Sequence, residues 1–202
     1  MAFTAGLLLA AAGAMLGAGA GEIENFVRVD EKVSTGVRLA AGQIGRLRSA
    51  GTRAIVDLRE PGEIADPSLA DAAAQAGIRY VSIPVKTAEP RDEQVDRFLV
   101  VLADPEVYPV FLTCGSGNRV GAFWMIRRMV VDAWTTMDAE NEGRRIGLKS
   151  PHLVEFARGY AARFRERRDS PSICLSPTAS RSPSVMPATA AMAAPRPSLT
   201  AR

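Results

Sequence analysis

Apolar positions along the chain fall into short compact runs and longer periodic stretches, and the two kinds alternate. Arg53 to Leu58, Ile78 to Ile83 (closed by Pro84) and Tyr108 to Thr113 are the compact runs. Runs of this length suit strands covered on both faces. Between them, apolar residues recur at helical spacing. Leu39 to Ala50 places Ile44 and Leu47 on one side, and Gly51 is placed to end it. Asp66 and Pro67 supply an N-cap and a first-turn proline for a helix through Leu69, Ala72, Ala73 and Ala76, which Gly77 stops. Pro90 to Ala103 carries Val95, Phe98, Leu99 and Leu102 on one face. Ala122, Phe123, Ile126, Met129 and Val130 repeat in the same way. A last helix opens at Ser150-Pro151 and turns Leu153, Phe156, Ala157, Tyr160, Ala161 and Phe164 inward. Strands alternating with helices predict a single three-layer α/β domain, a largely parallel sheet flanked by helices.

Both ends depart from this pattern. Residues 1–21 hold no charged side chain, and Ala18-Gly19-Ala20 is an Ala-x-Ala cleavage pattern. We expect a secretory signal peptide and a periplasmic or secreted product beginning near Gly21, which an intact-mass measurement checks. An uncleaved membrane anchor is the alternative, since about 20 apolar residues span a bilayer; a later start and a cytoplasmic protein is another. Residues 169–202 are rich in Ser, Pro, Ala and Thr without apolar periodicity. Such a segment buries too little surface to offset its ordering, so a disordered tail is expected. The α/β domain is thereby assigned to residues 22–168.

The chemistry concentrates where the run Val110-Phe111-Leu112-Thr113 meets the turn Cys114-Gly115-Ser116-Gly117-Asn118-Arg119 and a helix follows. Backbone N–H groups converge at such a junction, and the helix N-terminus adds partial positive charge, so the turn is an oxyanion cradle. Cys114 stands at its mouth, where those donors favour a thiolate. Arg119 closes it with a planar fork that matches two oxygens of a phosphate or sulfate. Cys114 is the candidate nucleophile, Arg119 the candidate clamp, and Gly115, Ser116, Gly117 and Asn118 the candidate substrate-binding residues. A buried, inert cysteine beside a turn is the plainer alternative. Open parallel sheets bind ligands beyond the carboxyl ends of their strands, which should bring Asp57-Leu58-Arg59-Glu60 and Val85 to Asp92 to the same place. Arg59 there either adds a cationic contact at the pocket rim or pairs with Glu60 or Glu63.

Cys-x4-Arg with interior glycines resembles the catalytic loop of cysteine-dependent phosphatases and, by its length, that of rhodanese-type sulfurtransferases. Five stretches resemble the beta-lactamase-hydrolase-like phosphatase family, a bacterial dual-specificity-phosphatase-like group. They are Val29 to Gly36 (with Ser34-Thr35-Gly36 as a turn), Gln43 to Gly51, Ala54-Ile55-Val56-Asp57-Leu58-Arg59, Gly117-Asn118-Arg119-Val120-Gly121-Ala122, and Glu142-Gly143-Arg144-Arg145-Ile146-Gly147-Leu148-Lys149. The resemblance covers roughly residues 26–150. It implies a cysteine-phosphatase-like fold and hydrolysis of phosphate monoesters through a phosphocysteine on Cys114. It also implies a proton donor upstream of the cysteine, for which Asp92 is the candidate and Glu89 the alternative. The substrate would be a phosphorylated protein or a small phosphate ester.

Composition narrows the classes. A formal net charge of +3 is too small to argue for nucleic acid. The late arginines Arg158, Arg163, Arg165, Arg167 and Arg168 read as the solvated face of a helix. His152 is the only histidine and Cys174 the only other cysteine, so no metal cluster, no histidine-based triad and no cofactor are implied. A membrane partner follows only if residues 1–21 stay attached. Three functions remain open: a phosphatase, a sulfurtransferase carrying a persulfide on Cys114, and an oxyanion-binding domain without turnover. Thr113 and Val120, where related phosphatases usually carry His and a hydroxyl residue, keep the last of these open.

Overall fold

The computed structural model describes residues 22–169. The expected leader or anchor and the expected tail from residue 170 onward lie outside the described residues. Five strands form one sheet: β1 (Glu24–Arg28), β2 (Val33–Val37), β3 (Ala54–Asp57), β4 (Arg79–Ser82) and β5 (Val110–Cys114), in the order β1-β2-β5-β3-β4. β2, β5, β3 and β4 run parallel, and β1 pairs antiparallel with β2 at the edge.

Side chains alternate across a strand, so each strand feeds two cores. Ala54, Val56, Val110, Leu112 and Cys114 face one side, where α3 (Asp92–Ala103), α4 (Asn118–Val130), α5 (Thr136–Ile146) and α6 (Pro151–Asp169) cover them. Ile55 and Phe111 face the other, under α1 (Ile44–Ser49) and α2 (Leu69–Gln75). The result is the expected three-layer α/β arrangement. Among the described residues no helix is long and apolar enough to cross a membrane.

Several elements differ from expectation. Residues 34–36, read as a turn, lie within β2, and Gly36 is there because a Cβ would stand 2.5 Å from Ile23 Cγ2 and 2.9 Å from the Phe111 ring. The helix expected from Leu39 is α-helical only over Ile44–Ser49, after a 3-10 turn at Ala41–Gln43. In that turn the Gln43 side chain and Asp66 accept from the N–H groups of Ala40 and Ala41. α5 was not expected at all. Strand β5 runs one residue further than its apolar run, through Cys114, because Arg38 N–H donates to the Cys114 carbonyl at 2.9 Å.

α4 and α5 cross at glycines. A Cβ on Gly121 would stand 2.6 Å from the Gly143 carbonyl, and one on Gly143 would stand 2.8 Å from that of Gly121. Backbone cannot give way as a flexible side chain does, so Gly121→Ala should cost about 1–3 kcal/mol through overpacking. Gly45→Ala is the control, since α1 leaves that position open; it should gain about 0.5–1 kcal/mol in helix propensity. Denaturant unfolding of both variants checks this, and an unchanged Gly121→Ala midpoint would show that the helices part freely.

Candidate active site

β5 lies inside the parallel set, and its end is flanked by those of β2 and β3. Val37 stands beside Cys114 and Asp57 beside Thr113. The chain then turns through Gly115, Ser116 and Gly117 into α4. Gly117 has φ +84°, a left-handed conformation, and a Cβ there would stand 2.7 Å from the Ile146 carbonyl. Only glycine meets both demands without strain. Its N–H donates to Cys114 Sγ at 3.1 Å. Cys114 is fully buried, so the sulfur forms the floor of the cradle and not its mouth. Thr113 points to the opposite face by strand alternation and therefore does not support the sulfur directly.

Arg119, in the first turn of α4, is also buried and folds back over the strand ends. Its Nη1 donates to the carbonyls of Leu58 (3.2 Å) and Val85 (2.9 Å) and to Glu63 Oε2 (2.6 Å), and its Nη2 donates to Glu63 Oε1 at 2.6 Å. Its Nε is buried with no acceptor. Burial opposes its charge, but the Glu63 hydrogen bonds and the adjacent Cys114 outweigh that and raise its pKa. Glu63 is held below the usual carboxylate range, chiefly by Arg119.

Three expected site residues are placed differently. Arg59 is not at a rim: it is buried, donates from Nε and Nη2 to Asp57, and reaches the Leu39 carbonyl at 3.0 Å. Asp57 also accepts from the Tyr80 hydroxyl at 2.8 Å. This buried pair holds the turn after β3 and engages the Nε and Nη2 donors of Arg59. Asn118 spends its side chain on structure. Its Oδ1 accepts from Lys149 N (2.7 Å) and Ser150 N (2.9 Å), and its Nδ2 reaches Ser116 Oγ at 3.2 Å. Asp92 opens α3 and is paired with Arg163 Nε (3.0 Å) and Nη2 (2.6 Å) on α6. Arg163 holds its carboxyl below the ordinary range, which is the wrong direction for a proton donor. Ser116 is exposed and Gly115 partly so, at the lip of the turn. His152 lies exposed on α6.

Glu63 is the site residue that sequence reading missed as a partner of Arg119. Glu60-x-x-Glu63 around Pro61 has the form of a helix-start box, and Glu60 N–H does donate to Glu63 Oε2 at 2.8 Å. Nothing in that pattern points to Arg119.

A family model described as PTP-NADK, a DSP-PTPase phosphatase fused to NAD+ kinase, matches residues 21–155. No curated protein matches the chain in sequence. Among solved structures, Pseudomonas aeruginosa TpbA is 22% identical with a TM-score of 0.59, over 71% of this chain and 90% of that one. TpbA is also known in a form bound to pTyr, at 21% identity and a TM-score of 0.57, over 76% of this chain and 98% of that one. The core catalytic domain of the PP-IP phosphatase SIW14 from S. cerevisiae is 16% identical with a TM-score of 0.62, over 72% of this chain and 91% of that one. The match to the family model spans most of the described domain, and the chain belongs to the dual-specificity-phosphatase-like cysteine phosphatases.

Proposed function

We propose that the chain hydrolyses phosphate monoesters through a covalent intermediate on Cys114. The observation that carries this reading is one loop in which a backbone N–H is directed at the Cys114 sulfur and a buried arginine keeps Nε without an acceptor. In the first step the Cys114 thiolate attacks phosphorus, the ester P–O bond breaks, and the leaving oxygen takes a proton from a carboxylic acid. Arg119 and the amides of residues 115–119 stabilise the phosphoryl oxygens as charge redistributes. Water then attacks phosphorus and gives its proton to that carboxylate. The S–P bond breaks, and thiolate and inorganic phosphate are released.

Glu89 is the better candidate for the acid. It lies exposed on the connection that leads from Val85, whose carbonyl touches Arg119, whereas Asp92 is tied to Arg163. The substrates are a phosphorylated protein, phosphotyrosine first given the TpbA complex, or a small phosphate ester. Assaying the full chain in parallel for p-nitrophenyl phosphate hydrolysis and thiosulfate-to-cyanide sulfur transfer tests the reading. Phosphatase activity alone is expected; sulfur transfer alone would replace the phosphatase with a persulfide carrier. Glu89→Gln should slow alkyl phosphates by roughly a hundredfold, the scale of general-acid loss, and aryl phosphates less. Asp92→Asn should change either by little, and the reverse ranking would return the acid role to Asp92.

A further inference from the structure

A guanidinium carries five N–H donors around a rigid plane. In Arg119 the two on Nη1 are taken by Leu58 O, Val85 O and Glu63 Oε2, and one on Nη2 is taken by Glu63 Oε1. Glu63 thus occupies the end-on edge, between Nη1 and Nη2. The hydrogen on Nε and the second on Nη2 lie side by side along the other edge of the plane. That edge has the spacing of two oxygens of one phosphoryl group. Nε is buried and unpaired, a costly state for a charged donor unless something completes it.

Glu63 is itself braced. Its Oε2 accepts from Glu60 N–H at 2.8 Å in the turn Pro61–Glu63, so it reaches Arg119 from a fixed base. Gly115 leaves room for the pair: a Cβ there would stand 3.1 Å from both Arg119 Nη2 and Glu63 Oε1. The ion pair therefore lies directly against the first residue of the turn after Cys114. The Glu63 side chain is 38% exposed, so a change there disturbs little of the core.

We propose that Glu63 is the positioning residue of the oxyanion clamp: by taking the end-on edge of Arg119 it aims the Nε–Nη2 edge at the phosphoryl oxygens of a substrate on Cys114. This rests on the phosphatase reading above. A carboxylate sitting in the substrate's own place would be the opposite arrangement, and the two differ in sign. In the full chain, Glu63→Ala should lower kcat for p-nitrophenyl phosphate by about ten- to a hundredfold, the scale of a misaimed reacting group. KM should change much less, orthovanadate should inhibit more weakly, and the unfolding midpoint should hold. Glu63→Gln keeps one acceptor for Arg119 and should recover part of kcat. Tighter vanadate inhibition or a lower KM with kcat preserved would make Glu63 a competitor and overturn the proposal. Unchanged kinetics in Glu63→Ala beside an active parent chain would overturn it while leaving the phosphatase reading intact. A parent chain that neither turns over nor binds vanadate would remove both.

Discussion

Cys114→Ser is expected to abolish phosphate ester hydrolysis while leaving the fold and oxyanion binding in place. A serine hydroxyl is essentially un-ionised at neutral pH and is a far weaker nucleophile than a thiolate, so the first bond to phosphorus does not form. The loss should be on the order of a thousandfold or more, as for nucleophile removal in other covalent enzymes. The surroundings tolerate the change. Cys114 is fully buried and its sulfur accepts the Gly117 N–H, which a hydroxyl oxygen also accepts. Arg119 and its partners do not depend on the sulfur for their hydrogen bonds to Glu63, Leu58 and Val85. Phosphate or vanadate should therefore still raise the thermal midpoint of the variant. Most of the turnover surviving in Cys114→Ser would remove the covalent route.

Arg119→Lys should be nearly as damaging as Arg119→Ala. The native side chain bridges two backbone carbonyls and both oxygens of Glu63 while keeping Nε for something else. A lysine ammonium is a single point with three donors, and it cannot serve the carboxylate edge and the phosphoryl edge together. Losing one preorganised donor in a transition state costs about 2.7–4 kcal/mol, or two to three decades in rate. Comparing kcat/KM for the parent and the two variants measures it. Near-normal rates in Arg119→Lys would mean that net charge suffices and that the fork has no geometric role.

The sequence carried the central strand, the cradle and the helices α3, α4 and α6 because in those places local pattern and burial coincide. Phe98, Phe123 and Tyr160 are buried where helical spacing puts them. It did not give α5 as a helix; Glu142 to Lys149 stood out only by resemblance to a family. That helix buries Ala139, Glu142, Gly143 and Ile146, a set too small and too polar to register as an apolar stripe. Its Thr135 N-cap, which accepts from Asp138 N–H at 3.1 Å, was the available local sign. β1 leaves nearly every residue exposed, so it has no alternation to read. The cradle could be read from residues contiguous in sequence, but its long-range bonds could not. The Arg119–Glu63 pair joins distant residues, and the Asp92–Arg163 pair that argues against Asp92 as the acid joins residues further apart still. Pairings of this kind depend on which strand ends and which helices the fold brings together.

Asn118 joins the turn after Cys114 to the connection between α5 and α6 by two backbone N–H groups, from Lys149 and Ser150. Gly147 lies against Gly117 and the Ser116 carbonyl in the same place. Cooperative units in a protein open together where such bonds bind them and separately where they do not. The turn after Cys114 is therefore expected to open together with the start of α6. Its amides should exchange with solvent only when the start of α6 lets go, so the rigidity of the site is set by how firmly the last helix is docked.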